Sequence, residues 1–152
     1  MMKQVVLLLF FVLGISLQAQ DKHALGIRGG FNNGLTYRNY ASSSKAYEFI
    51  LSPRWGGWSI TGLIEYYNPL GSEPGLTWFY GFGAHVGTYR TGKPNVPAAN
   101  DNLLFGVDGI IGIDYKFQKV PLNISLDAKP EFNFVPTFLD LINFNLSFRF
   151  TF

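Results

Sequence analysis

The chain has 152 residues, of which 47% are apolar, 17% aromatic and only 14% charged, with a formal charge of +2. That length suits one domain, and the charged fraction is far below the roughly 25% of an ordinary soluble domain. The absence of cysteine excludes a disulfide framework, a thiolate metal site and a cysteine-anchored lipoprotein, and the near-neutral balance gives no electrostatic basis for nucleic-acid binding.

Residues 1–19 read as a cleaved signal peptide. Lys3 supplies a positive start, Val5 to Ile15 an apolar run, and Ser16-Leu17-Gln18-Ala19 a small-residue cleavage site. The run is shorter than the ~20 residues of a spanning helix. The mature chain, 20–152, is therefore expected to leave the cytoplasm. No later stretch is a continuous apolar helix of spanning length, so membrane insertion after export would require a closed barrel.

From residue 22 onward the pattern has period two. Leu122-Asn123-Ile124-Ser125-Leu126-Asp127-Ala128-Lys129 alternates strictly, as does Phe144-Asn145-Leu146-Ser147-Phe148-Arg149-Phe150-Thr151-Phe152. Eight strands are predicted, at about 23–31, 34–40, 45–53, 57–67, 76–90, 102–117, 121–134 and 141–152. Their connections are Asn32-Asn33, Ser42 to Ser44, Arg54-Trp55-Gly56, Asn68 to Gly75, Thr91 to Asp101, Gln118 to Val120, and Val135 to Asp140. Asn and Gly at these points tolerate the positive φ of tight hairpins. Pro130 sits awkwardly inside the seventh strand, where it removes a ladder donor, and is read as a bulge or the strand's rim.

The fold class expected is all-β, an eight-stranded antiparallel up-and-down transmembrane barrel. Strands of about nine residues can cross a bilayer when tilted, and an even count returns both ends to one side. One face collects Leu25, Ile27, Phe49, Trp58, Tyr80 and Phe82 and carries no charge. The other collects Arg28, Arg38, Glu48, Glu65, His85, Asp108, Asp114, Lys116, Asp127, Lys129, Glu131 and Arg149. Six of the chain's ten acids stand there beside five bases, so a narrow interior is expected to be a salt-bridged plug rather than an open pore. A soluble lipocalin-like carrier, with the apolar face turned inward around a ligand, has the same periodicity and is the alternative reading.

The final strand, ending on Phe148, Phe150 and Phe152, resembles the assembly signal of bacterial outer-membrane barrels. The glycine-aromatic stretches Gly26-Ile27-Arg28-Gly29-Gly30-Phe31, Thr61-Gly62-Leu63-Ile64-Glu65 and Trp78 to Gly87, with the Ala-Gln-ending leader, resemble small outer-membrane proteins of the Bacteroidetes. The resemblance implies an OmpA/OmpX-like barrel inserted by the outer-membrane assembly machinery and surrounded by outer-membrane lipid. It implies no defined activity. A larger outer-membrane complex is a further partner expected by analogy.

Catalysis has little support in the residues. Outer-membrane lipid A-modifying acyl hydrolases and transferases form the enzymatic alternative. They need a nucleophile, a base and an orienting group. His85 is the one candidate base well inside a strand, and Gly87 stands where the deacylase pattern would place serine. Ser59 and Glu65 share its face, but inside the barrel. Asp108 and Asp114 invite a cation or glycosidase reading, which the neighbouring bases Lys116, Lys129 and Arg149 turn toward ion pairing. No cofactor, metal site or catalytic residue is expected. With the N-terminus left periplasmic by leader cleavage, the loop from Thr91 to Asp101 is expected outside the cell and Asn68 to Gly75 in the periplasm.

Overall fold

The computed structural model describes residues 22–54, 56–90, 102–135, 137–141 and 143–152. The expected leader and the whole of the long Thr91–Asp101 loop lie outside the described residues. Ten strands and no helix occur among the described residues: β1 (His23–Gly30), β2 (Gly34–Ser42), β3 (Lys45–Arg54), β4 (Gly57–Pro69), β5 (Leu76–Tyr89), β6 (Asn102–Lys116), β7 (Leu122–Ala128), β8 (Glu131–Val135), β9 (Thr137–Asp140) and β10 (Phe144–Thr151).

Neighbouring strands pair antiparallel from β1 through β7, and β7 pairs with β10, which returns to β1. The sheet therefore closes. β8 continues β7 upward along β6, and β9 continues β10 upward beside β8. The ten strands thus form eight staves. We call the end holding His23 and Phe152 the lower end. The 43–44, 70–75 and 117–121 turns also lie there, and the remaining connections form the upper end.

Two boundaries differ from the sequence reading. β2 runs to Ser42 and pairs it with Lys45, so the polar Ser stretch is a tight turn with a register shift at Tyr40/Ser42. Val135–Asp140 is not a loop. Phe134 pairs with Thr137 and Phe132 with Leu139, so these residues form the top of the last two staves. Apolar residues at the barrel top looked like an irregular connection because their alternation is out of phase with β10.

The change of phase lies opposite Pro130. The pairs Ile111↔Ala128 and Asp108↔Glu131 preserve one register along β6 across Pro130, so Pro130 itself makes no bulge against β6; the register shift on this side lies higher, between Phe105 and Gly106. Gly109 N–H donates to the Pro130 carbonyl at 2.9 Å, and the reciprocal donor is missing because proline has none. The extra residue lies on the opposite side. Two residues separate Ala128 from Glu131, whereas three separate Asp140 from Phe144, and their partners are Phe144 and Asp140 respectively. The eighth stave therefore carries the bulge.

Side-chain direction follows the strand period. Ile27 is 62% exposed and Phe82 58%, whereas Arg38 is fully buried and Arg149 is 1% exposed. Most apolar residues point outward and most ionic ones inward. This does not favour the lipocalin-like alternative, which requires the reverse.

Candidate functional site

Arg38 organises the lower half of the interior. It projects from the middle of β2, where Thr36, Arg38 and Tyr40 share the inward phase. Its Nη1 donates to Asp114 at 2.7 Å, its Nη2 to Glu48 at 3.2 Å, and its Nε stands 3.0 Å from Glu65. Arg149 of β10 closes the ring by pairing with Glu48, and it also donates to Ser125 at 2.7 Å and Thr36 at 3.1 Å. Each buried charge here meets an opposite charge and neutral donors or acceptors, as a low-dielectric interior requires. Asp114 takes its second contact from Asn123 at 2.7 Å. Its charged partner is Arg38.

A second network fills the upper half. Glu131 contacts Arg54 and Lys129, and it accepts from Asn32 at 2.8 Å. Lys129 also donates to Asp108 at 2.7 Å. Asp108 lies 2.8 Å from His85 Nδ1, while His85 Nε2 lies 2.9 Å from Asn133. Between the two networks Arg28 and Asp127 form a two-pronged pair. Ser59 stands opposite Gly87, two pairs away from His85, whose partner in the ladder is Thr61. Both ring nitrogens of His85 are thus engaged by Asp108 and Asn133 rather than by a serine hydroxyl.

Arg54 belongs to the interior and was missed because it adjoins a turn. The alternation of β3 at Ala46, Glu48, Ile50 and Ser52 already points it inward. The filling also includes an apolar cluster that charge counting could not show. Ala46, Ile50, Leu63, Tyr67, Phe79 and Ile110 pack together, and the Arg38 guanidinium lies 5.3 Å from the Phe79 ring centre and 5.5 Å from that of Tyr67. The interior is therefore a mixed core. Asn123 and Asn145 lie within it on strands, although both begin glycosylation-type triplets.

Lys116 occupies a different setting. It is half-buried at the lower end, with its ammonium 5.3 Å from the Tyr40 ring centre. It borders a cavity of about 550 Å3 that opens at the lower mouth between Tyr40, Tyr67, Thr77 and Gln118, with Lys22 at its edge.

On the outer wall, Lys45 is the one charged residue at an outward strand position among the described residues. Its ammonium sits over Tyr47 at 5.2 Å and Tyr66 at 5.8 Å. Tyr66, Trp78 and Tyr80 stack along the same lower band, and His23 stacks on Tyr37 and Phe152. The upper band is phenylalanine-rich, with Phe105 and Phe132 against Phe134. Phe148 points outward opposite Ile27 and Ile124, and the Phe152 backbone exchanges hydrogen bonds with His23 at 2.9 and 3.0 Å.

These features define a closed eight-stranded antiparallel β-barrel with an apolar exterior and an ion-paired interior. No family model, no curated protein and no solved structure matches the chain.

Proposed function

We propose that this chain is an exported outer-membrane barrel of the small OmpA/OmpX-like kind found in Bacteroidetes, with a structural or partner-binding role and no catalytic centre. The observation that carries this reading is the inverted polarity of the wall. Leu, Ile, Phe, Tyr and Trp cover the outside, while Arg38, Glu48, Glu65, Asp114 and Arg149 are sealed within. In water the exposed apolar surface would far exceed the few hundred Å2 that soluble monomers carry in one patch. In lipid it is favourable, and closure satisfies the backbone of every stave. Lower Tyr/Trp stacking and upper Phe and Trp58 further support two interfacial bands.

The paired interior supports a filled barrel rather than a conduit, since eight staves leave room for side chains or one small ligand but not for a wide channel. Engagement of His85 by Asp108 and Asn133 speaks against its use as the base of a lipid A-modifying enzyme. Heat-modifiable gel migration of the membrane fraction tests the proposal. A band that shifts on boiling is expected, and recovery of the mature chain wholly in the soluble periplasm would overturn it. Lipid A acyl patterns are expected to be the same with and without the protein.

A further inference from the structure

The lower mouth combines two independent features. The first is the cavity itself, about 550 Å3, within the ~300–1,000 Å3 range of small-molecule sites. Its floor is aromatic, because Tyr40 and Tyr67 turn inward near the ends of β2 and β4, with ring centres 6.0 Å apart. The Tyr40 hydroxyl is sealed from solvent and has no hydrogen-bond partner among the described residues. Thr77 and Gln118 add neutral polar groups to the wall.

The second feature is charge. Of the five described lysines, Lys22, Lys45, Lys116 and Lys119 all stand at the lower end, against Glu73 as the one acid in the described turns there. Two of the four, Lys22 and Lys116, line the cavity. Asp114 also reaches it, but its carboxylate is already held by Arg38 and Asn123.

We propose that this mouth binds an organic phosphate ester, with Lys22 and Lys116 on the phosphate and the Tyr40–Tyr67 floor under the organic part. Lysine ammoniums are compact point charges that bind phosphate oxygens from several directions. The cavity exceeds the volume of a bare phosphate, and its aromatic floor gives the remainder of the ligand a surface. The same chemistry is offered by a phospholipid headgroup and by a free phosphate ester. The cavity and its lysines are independent of what surrounds the outer wall, so the proposal stands apart from the membrane reading.

The test uses the full mature chain in maltoside micelles, which contain no phosphate. One arm titrates glycerol 3-phosphate and reads heat by calorimetry. The other adds phosphatidylglycerol to the micelles and reads retained lipid by native mass spectrometry. Saturable binding in either arm is expected, and the arm that responds identifies the source. Lys22→Gln and Lys116→Gln should each weaken binding by about two- to fivefold, and the double variant by about tenfold, while Lys45→Gln leaves it unchanged. Lys22 lies outside the strands, so its variant remains informative should Lys116→Gln fail to fold. Failure of both probes to saturate, or a Lys22→Gln variant that binds both as the parent does, would overturn the proposal.

Discussion

Arg38 on β2 and Asp114 on β6 are 76 positions apart in the chain, yet their side chains meet at 2.7 Å across the closed barrel. The two strands are not ladder neighbours. The contact forms only when the sheet curls until opposite walls face each other, and Arg38 simultaneously reaches Glu48 and Glu65 on β3 and β4.

Removing Arg38 leaves three carboxylates without this common partner. Arg38→Met is expected to destabilise the barrel by about 3–5 kcal/mol, the penalty for breaking one side of a buried ion network. Asp114→Asn should cost about 1–3 kcal/mol, because Arg38 retains its other two carboxylates. Urea unfolding of the purified barrel in detergent, followed by heat-modifiable migration, measures both. Equal losses would show that Arg38 does not serve as the hub.

Two glycines on β1 give opposite predictions. A Cβ at Gly26 would run into the Phe148 carbonyl and the Arg149 backbone of β10. At Gly29 the nearest atom is Asn33 Oδ1, at an ordinary 3.9 Å. Gly26→Ala is expected to lower folding yield sharply, since the clash is with backbone. Gly29→Ala should remain within about 0.5 kcal/mol of the parent. Comparable refolding yields for the two would contradict the close approach of β1 and β10.

Membrane orientation is testable in the cysteine-free background. With His23, Phe152 and the 70–75 turn in the periplasm, a membrane-impermeant thiol reagent on whole cells should label Asn95→Cys and spare Ser72→Cys. Labelling of Ser72→Cys alone would invert the topology.

Phe152 can separate an assembly signal from a structural contact. Its ring stacks on His23 and Phe150, while its backbone bonds to His23 involve main-chain atoms that any residue supplies. Phe152→Ala is expected to refold from urea into detergent nearly as the parent does, but to reach the outer membrane of cells at a severalfold lower level. Equal losses in both assays would make the ring a structural element only.

The period-two pattern by itself determined the all-β class, most strand positions and which side chains share a face. Alternation at Leu122–Lys129 or Phe144–Phe152 is a local property and survives in any sheet. It could not decide which face turns inward, since a carrier and a barrel with an apolar exterior have the same period. Closure decided that, by placing Arg38 against Asp114 from opposite walls and Arg28 against Asp127 across the intervening β10. Nor could alternation show the inward cluster of Ile50, Leu63, Phe79 and Ile110, which reads as interruption until four strands bring the residues together. The top of the last two staves was hidden because the bulge opposite Pro130 reverses the phase between β9 and β10. The lower mouth depended most on tertiary structure: Lys22, Tyr40, Tyr67 and Lys116 lie on separate segments, and only the curvature of the closed wall gathers them around one cavity.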